Sequence, residues 1–207
     1  MQVVHFGHAC VLLDTGTTRI LIDPGTFSSG FEGVKDLDAV LITHQHPDHL
    51  DIAKLPALLA ANPRAQLIVD EGSADQTENP TVARPGDVVK VGDTTVKVVG
   101  GRHAVIHQDI PVIPNAGYVI GDGAFYHPGD ALFVPDEDID VLGLPSGAPW
   151  MRTGEAVDFL RAVEPRVAVP IHEAVLAMPQ MAYRLFELLK PGGTEVRPLP
   201  RGEESAV

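Results

Sequence analysis

The chain has a single cysteine in 207 residues. Cys10 can form no internal disulfide and no thiolate cluster, which excludes a disulfide-stapled scaffold and a metal centre built on several cysteines. It sits in the apolar run Ala9 to Leu13 and reads as a small buried hydrophobe. Positive charge is scarce: 15 Lys and Arg face 28 Asp and Glu, for a formal net charge of −13, and the basic residues nowhere cluster. A field of that sign opposes nucleic acid and anionic membrane. No apolar run reaches the roughly 20 residues of a membrane span. The segment MQVVHFGHAC has neither a basic n-region nor a small-residue cleavage site. The expectation is a cytoplasmic protein without nucleic-acid or membrane partners. Aromatics are also few, at 5%, with one tryptophan, Trp150.

What is present is a globular composition: 44% apolar residues, with 20 Gly and 18 Pro marking many turns. The length suits one domain spanning 1–207. The chemistry concentrates in His44, Gln45, His46, Pro47, Asp48 and His49, an HxHxDH signature directly after the apolar run Leu37 to Thr43, which reads as a strand buried on both faces. Three imidazoles and a carboxylate in six residues are costly to desolvate. A divalent cation reverses that cost, since both groups are its natural ligands. In extended backbone, His44 and His46 project to one side and can grip one ion, while the turn set by Pro47 swings Asp48 and His49 toward a second position.

Three short strands precede the motif (Val3 to Phe6, Ala9 to Leu13, Thr18 to Asp23), with a hairpin signal at Asp14 to Thr17. His8 follows Gly7 in the first turn, where it could reach the metal site or substrate, or be only a turn residue. Asp23 could orient a metal-binding histidine from behind, or simply end its strand before Pro24. After the motif, Asp51 can cap a helix beginning near Pro56 and ending near Asn62. Strands are expected at Gln66 to Val69, Val88 to Val91, Thr94 to Val99, Gly117 to Ile120, Ala124 to Tyr126, Ile139 to Leu142, Arg166 to Ile171 and Thr194 to Leu199. Helices are expected from Thr153, as a capping residue, to about Val163 and from Met178 to Leu189. The tail RGEESAV reads as disordered or loosely attached.

Further candidate ligands stand where strands end. His103 leaves a strand through Gly100-Gly101-Arg102, with His107 a nearby rim candidate. Asp130 follows His127-Pro128-Gly129 and could bridge two metals or serve as a turn residue. His172 ends the Arg166 to Ile171 strand. Trp150, in a loop, suits either a pocket wall or buried packing. The seven side chains His44, His46, Asp48, His49, His103, Asp130 and His172 approach the need of two four- or five-coordinate ions. Two halves of similar element order would pack sheet against sheet with helices outside.

The series HxHxDH, His103, Gly129-Asp130 and Pro170-Ile171-His172 resembles the metallo-β-lactamase superfamily over nearly the whole chain. Gly7-His8, LIDP and PIH are most similar to its small metal-dependent hydrolase branch, which includes L-ascorbate-6-phosphate lactonase-like proteins. The resemblance implies an α/β (α+β) fold, a four-layer αββα sandwich. It places His44, His46 and His103 on one metal and Asp48, His49 and His172 on the other, with Asp130 bridging and Asp23 supporting. Ala131 stands where the pattern often has threonine, and the GRHAVIH segment carries an extra histidine; both bear on the substrate. The chain is too short for the inserted arm of tRNA-processing relatives or the helical domain of glyoxalase II-type thioesterases.

The implied activity is hydrolysis of a small lactone, ester or phosphodiester by a metal-bridging hydroxide. Asp48 or Asp130 would take the proton, and His8, His107 or His127 would serve the leaving group. Zinc is the default pair of ions, with manganese or iron also compatible. Two divalent ions offset by two carboxylates and a hydroxide leave the centre slightly positive, so a small anionic substrate is compatible with an acidic chain. The rivals are a di-iron redox protein and a non-catalytic metal-binding or regulatory module.

Overall fold

The computed structural model describes residues 1–207. In the first half, β1 (Gln2–His5), β2 (Val11–Asp14) and β3 (Arg19–Ile22) form an antiparallel meander. Three strands parallel to β3 follow: β4 (Ala39–Ile42), β5 (Gln66–Val69) and β6 (Thr81–Val82). Helix α1 (Leu55–Ala61) makes the crossover from β4 to β5, because parallel neighbours need a long connection. The second half repeats the scheme. Antiparallel β7 (Val88–Val91), β8 (Thr94–Gly100), β9 (Ala116–Ile120) and β10 (Phe125–His127) precede parallel β11 (Val141–Pro145), β12 (Val167–Ile171) and β13 (Glu195–Val196). Its crossovers are α2 (Thr153–Val163) and α3 (Pro179–Leu189).

The layers follow from residue alternation. Odd and even positions of a strand point to opposite faces, and the core divides accordingly. Val11, Leu13, Ile20, Ile22 and Leu41 of the first sheet meet Val96, Val98, Tyr118, Phe125 and Val169 of the second in one central cluster. Leu12, Leu21, Val40 and Val69 point the other way and pack with Leu55 and Leu58 of α1. Behind the second sheet, Val119, Tyr126, Leu142 and Ala168 pack with Phe159, Leu160 and Phe186 of α2 and α3. This is the αββα sandwich that the resemblance implied. Cys10 is fully buried in the outer cluster of the first sheet, where desolvation holds its thiol well above its ordinary pKa and leaves it inert.

Element ends differ from the sequence expectation in instructive places. The Ile139 to Leu142 strand lies further on, as β11, and runs into Pro145, opposite Ile171, while Pro170 lies within β12. Proline lacks a ladder donor, yet both are accommodated. In each case the missing N–H turns toward a neighbour whose pairing has already ended, β10 at Leu142 and β13 at Ala168. The expected Thr194 to Leu199 strand contracts to Glu195–Val196. Thr153 is the first helical residue rather than the cap; the Arg152 N–H is satisfied instead by Glu155 Oε2 at 2.7 Å. Asp51 caps the turn just ahead of α1, accepting from Ala53 and Lys54 N–H at 3.0 and 3.1 Å.

The tail is the main correction. RGEESAV is ordered: β14 (Glu204–Ala206) adds antiparallel to β1, pairing Gln2 with Ala206 and Val4 with Glu204. Arg201 donates from Nε to Phe6 O at 3.0 Å and from Nη2 to Ser29 Oγ at 3.2 Å. A polar tail has no hydrophobic period to reveal it, but β1 would otherwise expose a full row of unpaired backbone groups. No helix is long and apolar enough to cross a membrane.

Strand direction positions the site. β1, β3 and β4 run the same way in the first sheet, as do β8, β10, β11 and β12 in the second. Their carboxyl ends therefore gather His8, Asp23, His44, His103, Asp130 and His172 at one edge of each sheet, the usual place for chemistry in such folds. Truncation after Pro200 should lower the melting temperature by about 3–8 °C and raise light scattering on heating as the β1 edge opens. An unchanged melting curve would show that β14 contributes nothing to stability.

Candidate metal centre

The backbone at this edge is unusual before any side chain is considered. His8, Asp23 and His172 all have positive φ, at 53°, 51° and 60°. Each is a non-glycine residue in the left-handed region, at a cost of about 1 kcal/mol. They are held there from outside. The His8 N–H donates to Glu173 Oε1 at 3.0 Å, and its carbonyl accepts from His172 N–H at 2.8 Å and His5 Nε2 at 2.8 Å. The Asp130 turn is as tightly specified. Gly129 has φ 63°, and a Cβ there would stand 2.3 Å from Asn115 Oδ1 and 2.8 Å from Thr43 Cβ. Buried Asn115 completes the turn, accepting Asp130 N–H at 2.9 Å and donating to Pro128 O at 2.9 Å.

All seven expected ligands come together, in two sets. His44, His46, His103 and Asp130 offer donor atoms within 4.8 Å of one another, and so do His8, Asp48, His49 and His172. The pairs that define the first set are His44 Nε2 to His46 Nδ1 at 3.0 Å and His103 Nε2 to Asp130 Oδ2 at 3.4 Å. In the second, His49 Nε2 and His172 Nε2 each lie 3.1 Å from Asp130 Oδ1, and Asp48 Oδ2 lies 3.0 Å from His8 Nε2. One carboxylate thus presents one oxygen to each set. His8 is fully buried in the second set and lies tilted against His172, with ring centroids 3.9 Å apart.

The donor nitrogens are aimed by what lies behind them. His49 Nδ1–H donates to Asp23 Oδ2 at 2.7 Å. His44 Nδ1–H donates to Thr43 Oγ1 at 3.0 Å, whose hydroxyl donates to the same Asp23 oxygen at 2.7 Å. His103 and His172 donate from Nδ1 to the carbonyls of Ala104 and Gly147, both at 2.6 Å. These acceptors hold each ring so that its Nε2 faces inward. His49 Nε2, His103 Nε2, His172 Nε2 and Asp130 Oδ1 are buried yet lack a hydrogen-bond partner. The 3.1 Å approaches to Asp130 Oδ1 are close enough but badly aligned for hydrogen bonds. Buried polar atoms left unpaired are costly, and four converging on two points have the chemistry of nitrogen and oxygen ligands to divalent cations. The residues fit a metal pair.

Without a cation, the electrostatics divide the members of the site. Burial, reinforced by neighbouring His49, holds His44 well below its ordinary pKa, so it is neutral and able to coordinate. For His49, burial opposes protonation but Asp130 and Asp23 outweigh it and raise the pKa well above the ordinary value. Burial would raise the Asp130 carboxyl, yet His49, His103 and His172 hold it well below its usual range. For Asp48, burial again works upward, and the hydrogen bond from His8 and the charge of His49 win, bringing it to about 2.

The remaining candidates separate clearly. His127 is fully buried, with Nε2–H donating to Ala9 O at 2.9 Å and Nδ1 accepting Gly129 N–H at 3.1 Å. It braces the Asp130 turn and has no free face for a leaving group. His107 is exposed, accepts the Asp109 N–H at 3.2 Å and belongs to neither set. Asp23 takes the supporting position, and Trp150 stands at the site, its indole N–H donating to Asp130 Oδ2 at 2.8 Å. Sequence reasoning missed Thr43, Asn115, His5 and Glu173. Thr43 abuts the motif and His5 bonds His8 three residues on, so both were within reach; Asn115 and Glu173 act across longer chain separations that no local pattern reports.

The profile of the beta-lactamase superfamily domain matches residues 2–172. The chain is 52% identical to Protein Rv0786c of Mycobacterium tuberculosis over 100% of this chain and 99% of that one. It is 30% identical to a UPF0173 metal-dependent hydrolase of Pyrobaculum islandicum, over 92% and 87% of the two chains. Among solved structures, Igni18, a metallo hydrolase from Ignicoccus hospitalis, superposes with a TM-score of 0.77 at 23% identity, over 99% of this chain and 97% of that one.

Two outcomes follow from the site's packing and charge. Gly129→Ala should destabilise by about 2–4 kcal/mol, read by chemical denaturation. A loss under 1 kcal/mol would mean the Asn115 and Thr43 contacts yield easily. The Asp48 carboxyl is depressed in the folded state, so its contribution is fully present above the unfolded pKa of about 3.9 and is lost as pH falls toward 2. Metal-stripped protein should lose about 2 kcal/mol from this group over that window, and Asp48→Asn should flatten that part of the stability–pH curve.

Proposed function

Since the chain belongs to the beta-lactamase superfamily domain family, we propose that it is a metal-dependent hydrolase that uses two divalent cations, zinc by default, on a small lactone, ester or phosphodiester. The observation that carries this reading is Asp130: a single buried carboxylate with one oxygen toward each of two sets of inward-facing imidazoles. In this reading His44, His46 and His103 hold one cation, and Asp48, His49 and His172 the other. Asp130 spans both. Bound there, the metal pair supplies Lewis acidity and a water that ionises near neutral pH.

The protein's own groups do the rest. Asp48 is the more exposed of the two ligand carboxylates, with 20% of its side chain accessible against 4% for Asp130. It is therefore the group placed to take a proton from the incoming water. His8 is sealed from solvent and holds Asp48 Oδ2 at 3.0 Å, so it acts on the reaction through Asp48 and not on a leaving group directly. Asp23 keeps His49 and, through Thr43, His44 in the ligating tautomer. The sealed, braced His127 holds the Gly129-Asp130 turn in register.

The surroundings favour a carbon-centred substrate. Partly exposed Phe27 stands edge-on to His8 at 5.1 Å, and half-buried Trp150 edge-on to His103 at 6.0 Å, so an aromatic ring flanks each set. The ion-pair partners of Asp23, Asp48 and Asp130 are all histidines, with no lysine or arginine among them. Nothing resembling a cationic clamp for a phosphoryl group is built into the carboxylates' surroundings.

His46→Ala should lower both bound metal and turnover, by elemental analysis and by initial rates, with at least about a hundredfold loss of kcat/KM. Normal loading of two ions in that variant would contradict the ligand assignment. In a panel of lactones, carboxylic esters and phosphodiesters, the carbonyl substrates should be hydrolysed fastest. A metal-loaded protein inert toward all three classes would overturn the hydrolytic reading.

A further inference from the structure

The two oxygens of Asp130 have different surroundings. Oδ1 faces His49 and His172 and has no hydrogen-bond donor of its own. Oδ2 faces His103 Nε2 at 3.4 Å and His44 Nε2 at 4.0 Å, and it also accepts the Trp150 indole N–H at 2.8 Å. Trp150 lies on a tight turn after β11, closed by the Met151 N–H on Ala148 O at 3.2 Å and by a bridge between the same two residues. The preceding Gly147 carbonyl takes the Nδ1–H of His172. One short turn therefore braces a member of each set: Asp130 on the first side and His172 on the second. The ring stands edge-on to His103, which limits its own rotation.

We propose that Trp150 is a positioning residue that selects how Asp130 serves the His44, His46 and His103 set. A carboxylate oxygen accepts two hydrogen bonds or ligands in its plane. With the indole N–H on one lone pair of Oδ2, the carboxylate cannot swing about its Cβ–Cγ bond, and the other lone pair faces the imidazoles. A neutral donor is suited to this task. It fixes the oxygen without cancelling the negative charge that a cation would use, which a lysine or arginine in its place would do. The effect falls mainly on the first set, because Trp150 bonds Oδ2 itself, whereas Oδ1 is held only through the shared Cβ–Cγ rotation. This rests on the two-metal reading proposed above.

The chain has one tryptophan, so global replacement by an indole analogue alters this position alone. Biosynthetic incorporation of benzothienylalanine keeps the bicyclic shape and removes the N–H. Zinc titrations of metal-stripped protein, by calorimetry in a competing chelator, should then show one of two sites weakened by about ten- to a hundredfold, with the other within about threefold. The metal-free melting temperature should stay within a few degrees, whereas a purely packing role for the ring predicts unchanged zinc affinity at both sites. Trp150→Phe should give the same selective loss. In the unsubstituted protein the single-tryptophan emission should shift as zinc is added, and His46→Ala should abolish that shift while one zinc still binds. Equal affinities with and without the N–H, or equal weakening of both sites, would overturn the proposal. Failure of the wild-type chain to bind zinc at all would instead fall on the two-metal reading from which the proposal starts.

Discussion

One fully buried carboxylate organises the whole edge of the sandwich. Asp23 accepts the Thr43 N–H on Oδ1, and on Oδ2 it accepts both the Thr43 hydroxyl and the His49 Nδ1–H. An isolated buried charge of this kind would be prohibitively costly, so its three donors are obligatory, and each has a consequence. The Thr43 bonds pin the end of β4 to the end of β3. The shared hydroxyl passes the constraint to His44, and the direct bond sets His49. A histidine in each of the two sets thus owes its tautomer to the same residue. Without that anchor the HxHxDH segment would be a polar loop free to solvate itself.

The strain at the site follows from the same economy of anchors. Side chains that leave parallel strand ends point along the sheet edge, and turning them inward demands sharp reversals. Left-handed backbone at His8, Asp23 and His172 provides these reversals without glycine. The penalties are small beside the clamps that oppose them. The His8 peptide is bonded through both its N–H and its carbonyl to residues of the opposite half, Glu173 and His172. The bond from the His172 N–H to the His8 carbonyl joins the two sheets at the site itself. Strain here is a sign of over-determined geometry, which a pair of ligand sets only a few ångströms apart requires.

How much of this was legible follows from the range of each interaction. The apolar runs Val11 to Leu13 and Ile20 to Ile22 and the β-branched residues of Val96 to Val99 are local signals, and they located these strands. Histidines at strand ends are also local, and their position was enough to name the residues that the structure brings together in two sets. The β14 strand was illegible because its sequence is polar and its reason for pairing lies 200 residues away in β1. Likewise Glu173, Asn115 and the bond between Trp150 and Asp130 depend on partners far along the chain. The displaced β11 strand has a different cause: proline argues against strand locally, and only the staggered ends of β10 and β13 make Pro145 and Pro170 harmless.

That division of labour explains why two sets of ligands arise on this architecture. The first half supplies His44 and His46 to one set and His8, Asp48 and His49 to the other; the second half supplies His103 and Asp130 to the first and His172 to the second. Neither set is complete within a half. What brings the halves together is the central apolar layer, to which both sheets contribute and which is almost wholly sealed from water. The polar edge would not assemble alone, because taking its imidazoles and carboxylates out of water is costly without the closed sandwich to hold them. Hydrophobic closure of the sandwich therefore forces the site into being, and any cation bound there adds stability back to the closed form, since the unfolded chain scatters the same ligands over more than 160 residues. Cation binding and closure of the fold would therefore reinforce one another, with Asp130 placed between the two sets.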